Sequence, residues 1–328
     1  MSAALTLRPW RDGDDLRLLE VWPDPETPQA AAFRAVLRPD ADTPWSRTVV
    51  AEDAGVPVAA GTVYESALHP LRLWVYVEVA PDRRGEGIGR ALLERLRAEA
   101  ADSPSGVRAL RTKAEPGSAG ERFARAAGLE PVQVSTVVRV GAGALPLQPL
   151  REHPDGTPAQ AVEDLATGSV ELTRALWDFY RSVHAWDRPA ELPIGRVNQL
   201  FLSDAAHAYG ALVLRNGVAA GERGRISAFA VSYRPVELDA APGGGPEPDA
   251  GRTAEDAPAH VVLGWTPEDA AAGPALERLL ALLAHQHPVQ FQVDGSMAPL
   301  TTVVENLLAA GAATVVETTV VLAEPPAA

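Results

Sequence analysis

A glycine-rich string with two arginines lies between an alternating apolar segment and a helical pattern, and its residue types suit the capture of an anion. It reads Val-Ala-Pro-Asp-Arg-Arg-Gly-Glu-Gly-Ile-Gly over residues 79–89. Glycines let the backbone approach a ligand closely, and N–H groups at the start of a helix attract negative charge. The string therefore predicts a phosphate cradle. It is not a Walker A loop, because no Gly-Lys-Ser/Thr follows, and it does not fit the GxGxxG turn of a dinucleotide fold.

The flanking segments are those that an anion-binding turn requires. Residues 71–79 alternate at the strand period, and residues 90–101 place leucines at helical spacing. Upstream, residues 48–52 and 57–65 flank Asp53-Ala54-Gly55, which predicts a β-hairpin. The sequence therefore predicts a mixed α/β fold with a mostly antiparallel sheet.

The second half of the chain repeats this plan. From the helix-ending Gly128 to Thr136, and from Gly311 to Thr319, the offset is eight residues. We interpret the repetition as an internal duplication. It predicts a first domain over residues 1–143, a Gly- and Pro-rich linker over 144–160 and a second domain over 161–328. Within the second domain, residues 241–259 form a polar insert that predicts a mobile loop.

Composition limits the class of protein. The 328 residues are 46% apolar and 22% charged, which suits two folded domains, and no apolar run approaches the ~18 residues of a membrane helix. We therefore expect a cytoplasmic protein. Cysteine is absent, which excludes disulfides, thiol nucleophiles and cysteine metal sites. The net charge of −14 lies mostly in residues 151–328, which carry 23 acidic and 11 basic side chains. That half would repel nucleic acid and attract a cationic molecule, unless its acidity only keeps the protein soluble.

The string from Val79 to Leu93 reads Val-x-Pro-x-Arg-Arg-Gly-x-Gly-Ile-Gly-Arg-x-Leu-Leu and resembles the acyl-coenzyme A pyrophosphate loop of the GCN5-related N-acetyltransferases (GNAT). The segments LTLRPWRDGDD and GSAGERFARAAGL are similar to that family's opening strand and fourth helix. The resemblance covers about the first 140 residues. With the repeated plan, the whole chain resembles tandem GNAT proteins, with a degenerate second copy.

The resemblance implies a sheet that splays open between the strands at 71–79 and 107–114, with the pantetheine arm in the split. The backbones of Val77 and Val79 would then bind the pantetheine and the acetyl carbonyl. The pyrophosphate would be held by Arg84, Gly85, Glu86, Gly87, Ile88, Gly89 and Arg90. The implied activity is transfer of the acetyl group of acetyl-coenzyme A to the amine of a small molecule, with no metal.

The second half departs from this pattern where the phosphate would bind. At the positions of Gly85 and Ile88 it has Ala271 and Pro274, and proline has no N–H to donate. Asp269 adds negative charge at the same place. The sequence predicts that this half binds no coenzyme A and acts as a structural or acceptor-shaping domain.

The acid and base of the related enzymes are missing from their usual positions. Six residues before Val79 stands Leu73, and four residues before Gly128 stands Ala124, neither of which can transfer a proton. Other polar residues expected near the open end of the sheet are Tyr64, Glu65, Tyr76, Glu78, Glu115 and Ser118.

From this set, Glu115, Ser118 and Glu78 are the candidate catalytic residues. The alternatives are loop capping for Glu115 and Ser118 and a surface salt bridge for Glu78. Deprotonation through water, with no dedicated base, is another alternative.

Two functions stay open at this point. The first is an N-acetyltransferase for a small, cationic amine, with an active first domain. The second is a non-catalytic coenzyme A-binding or protein-interaction module. In either case we expect a monomer or homodimer with no nucleic-acid or membrane partner.

Overall fold

The computed structural model describes residues 5–24, 28–234 and 257–326, so most of the predicted insert at residues 241–259 lies outside the described residues. The chain forms two compact units. The first takes in Met1–Val132, Asp187–Ala190 and Val320–Ala328, and the second takes in Gln133–Trp186 and Glu191–Thr319. Within the described ranges, no helix has the length and apolar character needed to span a membrane.

Unit 1 is built on a mostly antiparallel sheet. Its strands are β1 (Thr6–Pro9), β2 (Ala41–Asp42), β3 (Trp45–Asp53), β4 (Val56–Tyr64), β5 (Leu73–Val79) and β6 (Leu110–Ala114). They are ordered β1-β3-β4-β5-β6, with β2 on β3, and the pair β5–β6 is parallel while the others are antiparallel. Ala54 and Gly55 both take positive φ between β3 and β4, as a two-residue hairpin turn requires.

Helices cover both faces of this sheet. They are α1 (Asp14–Leu19), α2 (Pro28–Arg34), α3 (Ile88–Ala100) and α4 (Ala119–Ala126). Leu92 and Leu96 of α3 pack on Leu73 and Val75 of β5 in one core, whereas α1 belongs to a second core on the opposite face. Because β3 and β4 are covered on both faces, their apolar runs are nearly continuous rather than alternating.

Unit 2 has the same kind of sheet. Its elements are β7 (Glu130–Val140), β8 (Gln160–Asp164), α5 (Val170–Val183), α6 (Ile194–Phe201), β9 (Ala208–Asn216), β10 (Arg225–Tyr233), β11 (Ala259–Trp265), α7 (Ala272–Leu283), β12 (Val289–Asp294) and α8 (Ala298–Ala309). The strands are ordered β7-β12-β11-β10-β9-β8, and β11–β12 is its parallel pair. Phe179 anchors the core between Phe229 and Trp265, with ring centroids 5.7 and 4.7 Å away.

The closing strands, β7 and β13 (Ala313–Ala323), are the last strands of the first and second halves of the chain, and each pairs with a strand of the other half's sheet. Strand β13 pairs its end Val320–Ala323 with β6 of unit 1. In turn, β7 pairs with β12 of unit 2 from Ser135 to Val140. The predicted boundary at residue 143 places β7 in the first domain, whereas the structure completes unit 1 with the C-terminal segment.

The predicted fold class is confirmed, and three short elements differ from the sequence analysis. Helices α2 and α6 were not predicted, and β8 begins where the predicted linker ends. None exceeds eight residues, so tertiary packing rather than periodicity stabilises them. The order of strand, two helices, three strands, helix, strand, helix and closing strand occurs in each half, apart from the two-residue β2. Duplication as its origin stays a prediction.

We expect that ending the chain at Thr319 destabilises unit 1, because the removed residues Val320, Val321 and Leu322 are buried. Burial of such a side chain contributes about 1.5–3 kcal/mol. The expected result is a lower urea midpoint and loss of soluble protein. The matched control ends at Pro325 and keeps all paired residues of β13. Equal urea midpoints for the two truncated proteins would contradict the structural role of this segment.

Candidate active site

The turn between β5 and α3 presents backbone N–H groups that have no acceptor. A short 3-10 turn, Pro81–Arg83, leads into Gly85 and Gly87, which both take φ of 85°, and Gly87 begins α3 without a side-chain cap. In the part of the chain that the structure describes, the N–H groups of residues 84–90 make no hydrogen bond. Unpaired N–H groups at a helix start carry a partial positive charge, so this turn can bind an anion.

The side chains of the turn divide into packing and exposed groups. Ile88 is buried and anchors α3 in the core. Arg83 is held by Asp53 at 2.8 Å and by Glu86 at 3.0 Å. Arg84 is exposed and donates from Nε to the carbonyl oxygen of Val79 at 3.2 Å. Of the predicted anion-binding residues, the exposed Arg84 and Arg90 are thus placed to meet a ligand, while Glu86 holds Arg83 in position.

Strands β5 and β6 separate directly after they meet. Their parallel pairing consists of Leu73 with Leu110 and Trp74 with Arg111. The N–H of Leu73 donates to the carbonyl of Ala109 at 2.8 Å, so the backbone of Leu73 faces β6. Since backbone groups alternate along a strand, those of residues 75, 77 and 79 face the split. The backbones of Val77 and Val79 therefore lie along the split, and their binding of a pantetheine and an acetyl carbonyl stays a prediction.

A buried ionic cluster lies at the closed end of this split. The carboxylate of Asp187 accepts from Arg72, which precedes β5, at 2.7 Å and from Arg111 of β6. All three side chains are at most 4% exposed. His69 contacts the backbone of the same residue, with Nδ1 2.7 Å from the carbonyl oxygen of Asp187. One carboxylate thus bridges the two strands at the point where they pair.

The open part of the split forms a cleft of about 200 Å³. It is lined by Ala30, Phe33, Val75, Tyr76, Val77, Leu93, Thr112, Lys113, Ala114, Glu115, Ser118, Gly120, Phe123, Ala124 and Leu129. The lining comes from β5 and β6 and from helices of both faces, so the cleft can hold an elongated, largely apolar group between the strands. The described residues contain no cluster of three side chains that could hold a metal ion.

Two of the three predicted catalytic residues line this cleft. Ser118 is the N-cap of α4, and its Oγ accepts from the N–H of Glu121 at 3.1 Å, which is the capping role given as its alternative. Glu115 is exposed, and its backbone carbonyl accepts from the N–H of Ser118. The structure thus brings Glu115 and Ser118 together at the end of β6.

Glu78 is not among the cleft-lining residues and is held in an ion pair. Its Oε2 accepts from Nε of Arg34 at 2.9 Å and from the hydroxyl of Tyr76, which does line the cleft. The ring of Tyr76 stacks on Phe33 at 4.6 Å. Sequence reasoning missed Phe33 and Arg34 because α2 was not predicted. Their side chains fasten α2 to β5, and Phe33 lines the cleft.

The turn before α7, which corresponds in chain order, contains a carboxylate that accepts from one of its N–H groups. Asp269 accepts from the N–H of Ala271 at 2.8 Å, just before α7, and from the hydroxyl of Ser227. A carboxylate of the chain itself therefore binds an N–H group in this turn, whereas the N–H groups of the corresponding turn in unit 1 have no acceptor among the described residues.

Comparison with known proteins agrees with the geometry of unit 1. Residues 44–128, which include the hairpin, β5, the anion-binding turn and α3, match the family model for the acetyltransferase (GNAT) domain. This part of the chain is a GNAT domain. The GNAT fold supports acyl transfer in general. No curated protein matches the chain significantly.

Solved GNAT structures resemble nearly the whole chain. The GCN5-related N-acetyltransferase from Sphaerobacter thermophilus has a TM-score of 0.60 at 16% identity, covering 98% of this chain and 97% of that one. A tandem GNAT protein from the clavulanic acid biosynthesis pathway has a TM-score of 0.53 at 15% identity, covering 99% and 100%. A GCN5-related N-acetyltransferase from Anabaena variabilis has a TM-score of 0.51 at 11% identity, covering 98% and 72%. At these identities, the similarity concerns the fold.

We expect Asp187→Asn to destabilise the GNAT domain by about 3–5 kcal/mol, because two buried guanidinium groups lose their counter-charge. Urea unfolding measures the change. Asp178→Asn is the control, since Asp178 is exposed on α5 and undergoes the same chemical change. A loss below about 1 kcal/mol for the Asp187 variant would show that the cluster does not hold the strands together.

Proposed function

We propose that the GNAT domain binds acetyl-coenzyme A and transfers its acetyl group to the amine of a small molecule. The observation that carries the proposal is the row of unpaired N–H groups over residues 84–90, next to the split between β5 and β6. A pyrophosphate supplies the acceptors that these donors lack. The split supplies strand-edge backbone and an apolar cleft for the pantetheine arm.

The difference between the turns before α3 and α7 supports a structural role for unit 2, in which it binds no coenzyme. At the start of α7, the carboxylate of Asp269 already satisfies an N–H group and would repel a phosphate. The second half of the chain also gives the GNAT domain Asp187 and the end of β13. Its role in shaping the acceptor pocket stays a prediction.

Substitution Gly87→Asp is expected to abolish binding of acetyl-coenzyme A, measured by isothermal titration. The carboxylate would repel the pyrophosphate, and φ of 85° adds a strain of about 1–2 kcal/mol. Arg84→Glu, at an exposed position without strain, should weaken binding by at least about tenfold. Gly273→Asp in α7 is the matched control and should leave binding unchanged.

Two coenzyme molecules bound per chain would overturn the assignment of binding to the first domain. So would full binding by the Arg84→Glu and Gly87→Asp variants. Thermal unfolding of each variant separates lost binding from lost folding.

The alternative function is a coenzyme-binding or protein-interaction module without catalysis. It is favoured by Leu73 and Ala124, which are both buried and apolar at the positions where related enzymes place the base and the acid. Binding of acetyl-coenzyme A without thiol release to any amine would favour this alternative. An open turn and an open cleft favour the enzyme.

We propose a cationic amine as the acceptor, since the second half of the chain carries 23 acidic against 11 basic side chains. Spermidine is expected to react with a higher kcat/KM than glutamate, and the advantage should shrink at high ionic strength because salt screens surface charges beyond roughly 8–10 Å. Thiol release measures the rates. A preference for glutamate, or no salt dependence with spermidine, would show that the acidity is only solubilising.

A further inference from the structure

Three side chains form a hydrogen-bonded chain that starts in the cleft. Tyr76 lines the cleft, and its hydroxyl donates to Oε2 of Glu78. Glu78 in turn accepts from Arg34 of α2, whose guanidinium is anchored by a further hydrogen bond from Nη1 to the carbonyl of Pro23 at 2.7 Å. Arg34 and Glu78 are only 12% and 13% exposed, so this chain is shielded from bulk water.

The ring of Tyr76 has little freedom to move. Phe33 stacks on one side with ring centroids 4.6 Å apart and an interplanar angle of 6°. The hydroxyl is held by Glu78, and the ring belongs to the face of β5 that packs against α1. A phenol fixed at both ends can meet a substrate in one geometry, which favours proton transfer.

The other polar side chains that line the cleft are Thr112, Lys113, Glu115 and Ser118. Ser118 Oγ caps α4. Lys113 is a cation that lies over the ring of Trp74, 5.9 Å from its centroid. Glu115 is exposed beyond the end of β6. Tyr76 thus lines the cleft and is also hydrogen-bonded to a carboxylate that can take up a proton.

Burial and the neighbouring charges fix the protonation state of Tyr76. Burial is the main reason that the pKa of the phenol lies far above 10, and the negative charge of Glu78 raises it further, against a smaller opposite effect of Arg34. The phenol is therefore protonated whenever the protein is folded at ordinary pH. Such a group cannot act as a phenolate base, but it can accept one proton while it gives up another.

We propose that Tyr76 relays the proton of the attacking amine to Glu78. As the nitrogen bonds to the carbonyl carbon of the thioester, its proton moves to Tyr76 Oη and the phenol proton moves to Glu78 Oε2. The C–S bond then breaks, and the sulfur leaves as a thiolate that water protonates. Glu78 returns its proton to solvent through the same chain when the product leaves. This inference rests on the proposed function and adds a proton path to it.

In this scheme, Tyr76 is the catalytic residue, whereas Glu78 and Arg34 act through it. Arg34 is a positioning residue, because its two nitrogens hold both oxygens of Glu78. The candidate Glu78 of the sequence analysis thereby acquires a role that requires no contact with the substrate.

The test compares Tyr76→Phe with Tyr64→Phe in the full chain. Tyr64 lies on the neighbouring β4, opposite Trp74, and does not line the cleft. With acetyl-coenzyme A and with n-butylamine, spermidine and glycinamide as amine probes, Tyr76→Phe should lower kcat about 100-fold. The KM for acetyl-coenzyme A should be unchanged, because the ring still stacks on Phe33. Tyr64→Phe should react as the natural protein does.

A second variant tests the relay itself. Glu78→Gln removes the final proton acceptor, so its loss of kcat should be similar to that of Tyr76→Phe, and the double variant should be no slower than either single variant. The solvent deuterium isotope effect on kcat should be altered in both. A purely structural role would instead lower the urea midpoint and give losses that multiply.

The outcomes separate this inference from the proposed function. If Tyr76→Phe keeps kcat within about threefold of the natural protein, or if the two losses multiply, the relay is wrong while acyl transfer stands. If the natural protein binds acetyl-coenzyme A in the titration but releases no thiol with any probe, acyl transfer to amines and the relay are both wrong. If it binds no coenzyme, the proposed function falls at its first step.

Discussion

The carboxylate of Asp187, held between Arg72 and Arg111, determines where the sheet of the GNAT domain is closed. Taken alone, two buried guanidinium groups would repel each other and lack hydration, so the shared anion is a condition for packing both strands here. Arg72 precedes β5, and Arg111 is paired with Trp74. The cluster therefore holds the strands together at one end, and the divergence beyond it produces the cleft.

The site itself consists of backbone groups that the fold leaves unsatisfied. Helix α4 has Ser118 as its cap, and the turn before α7 has Asp269 bound to the N–H of Ala271, whereas the turn before α3 has no described side chain bound to its N–H groups. Backbone N–H groups at a helix start that have no protein acceptor are left to water or to a ligand. A row of such donors beside an unpaired strand edge can therefore bind a ligand that brings its own acceptors.

The sequence could predict features built from residues that are close together along the chain, but not contacts between residues that are far apart. The anion-binding turn is local, so its glycines and arginines are visible as a string. The ion pairs next to the cleft are not local: Arg34 and Glu78 are 44 residues apart, and Arg72 and Asp187 are 115 apart. Nor could the exchange of closing strands be predicted, since β7 and β13 carry the same β-branched pattern and either would suit either sheet.

The exchange of closing strands also bears on how the protein is made. A ribosome releases the residues of β5 and β6 long before it has translated Asp187 and Val320–Ala323, so the nascent GNAT domain has an uncovered β6 edge until residue 323 has been synthesised. Its final folding step thus follows the synthesis of the second half of the chain. For the same reason, the first half of the chain translated alone would lack Asp187 and the end of β13.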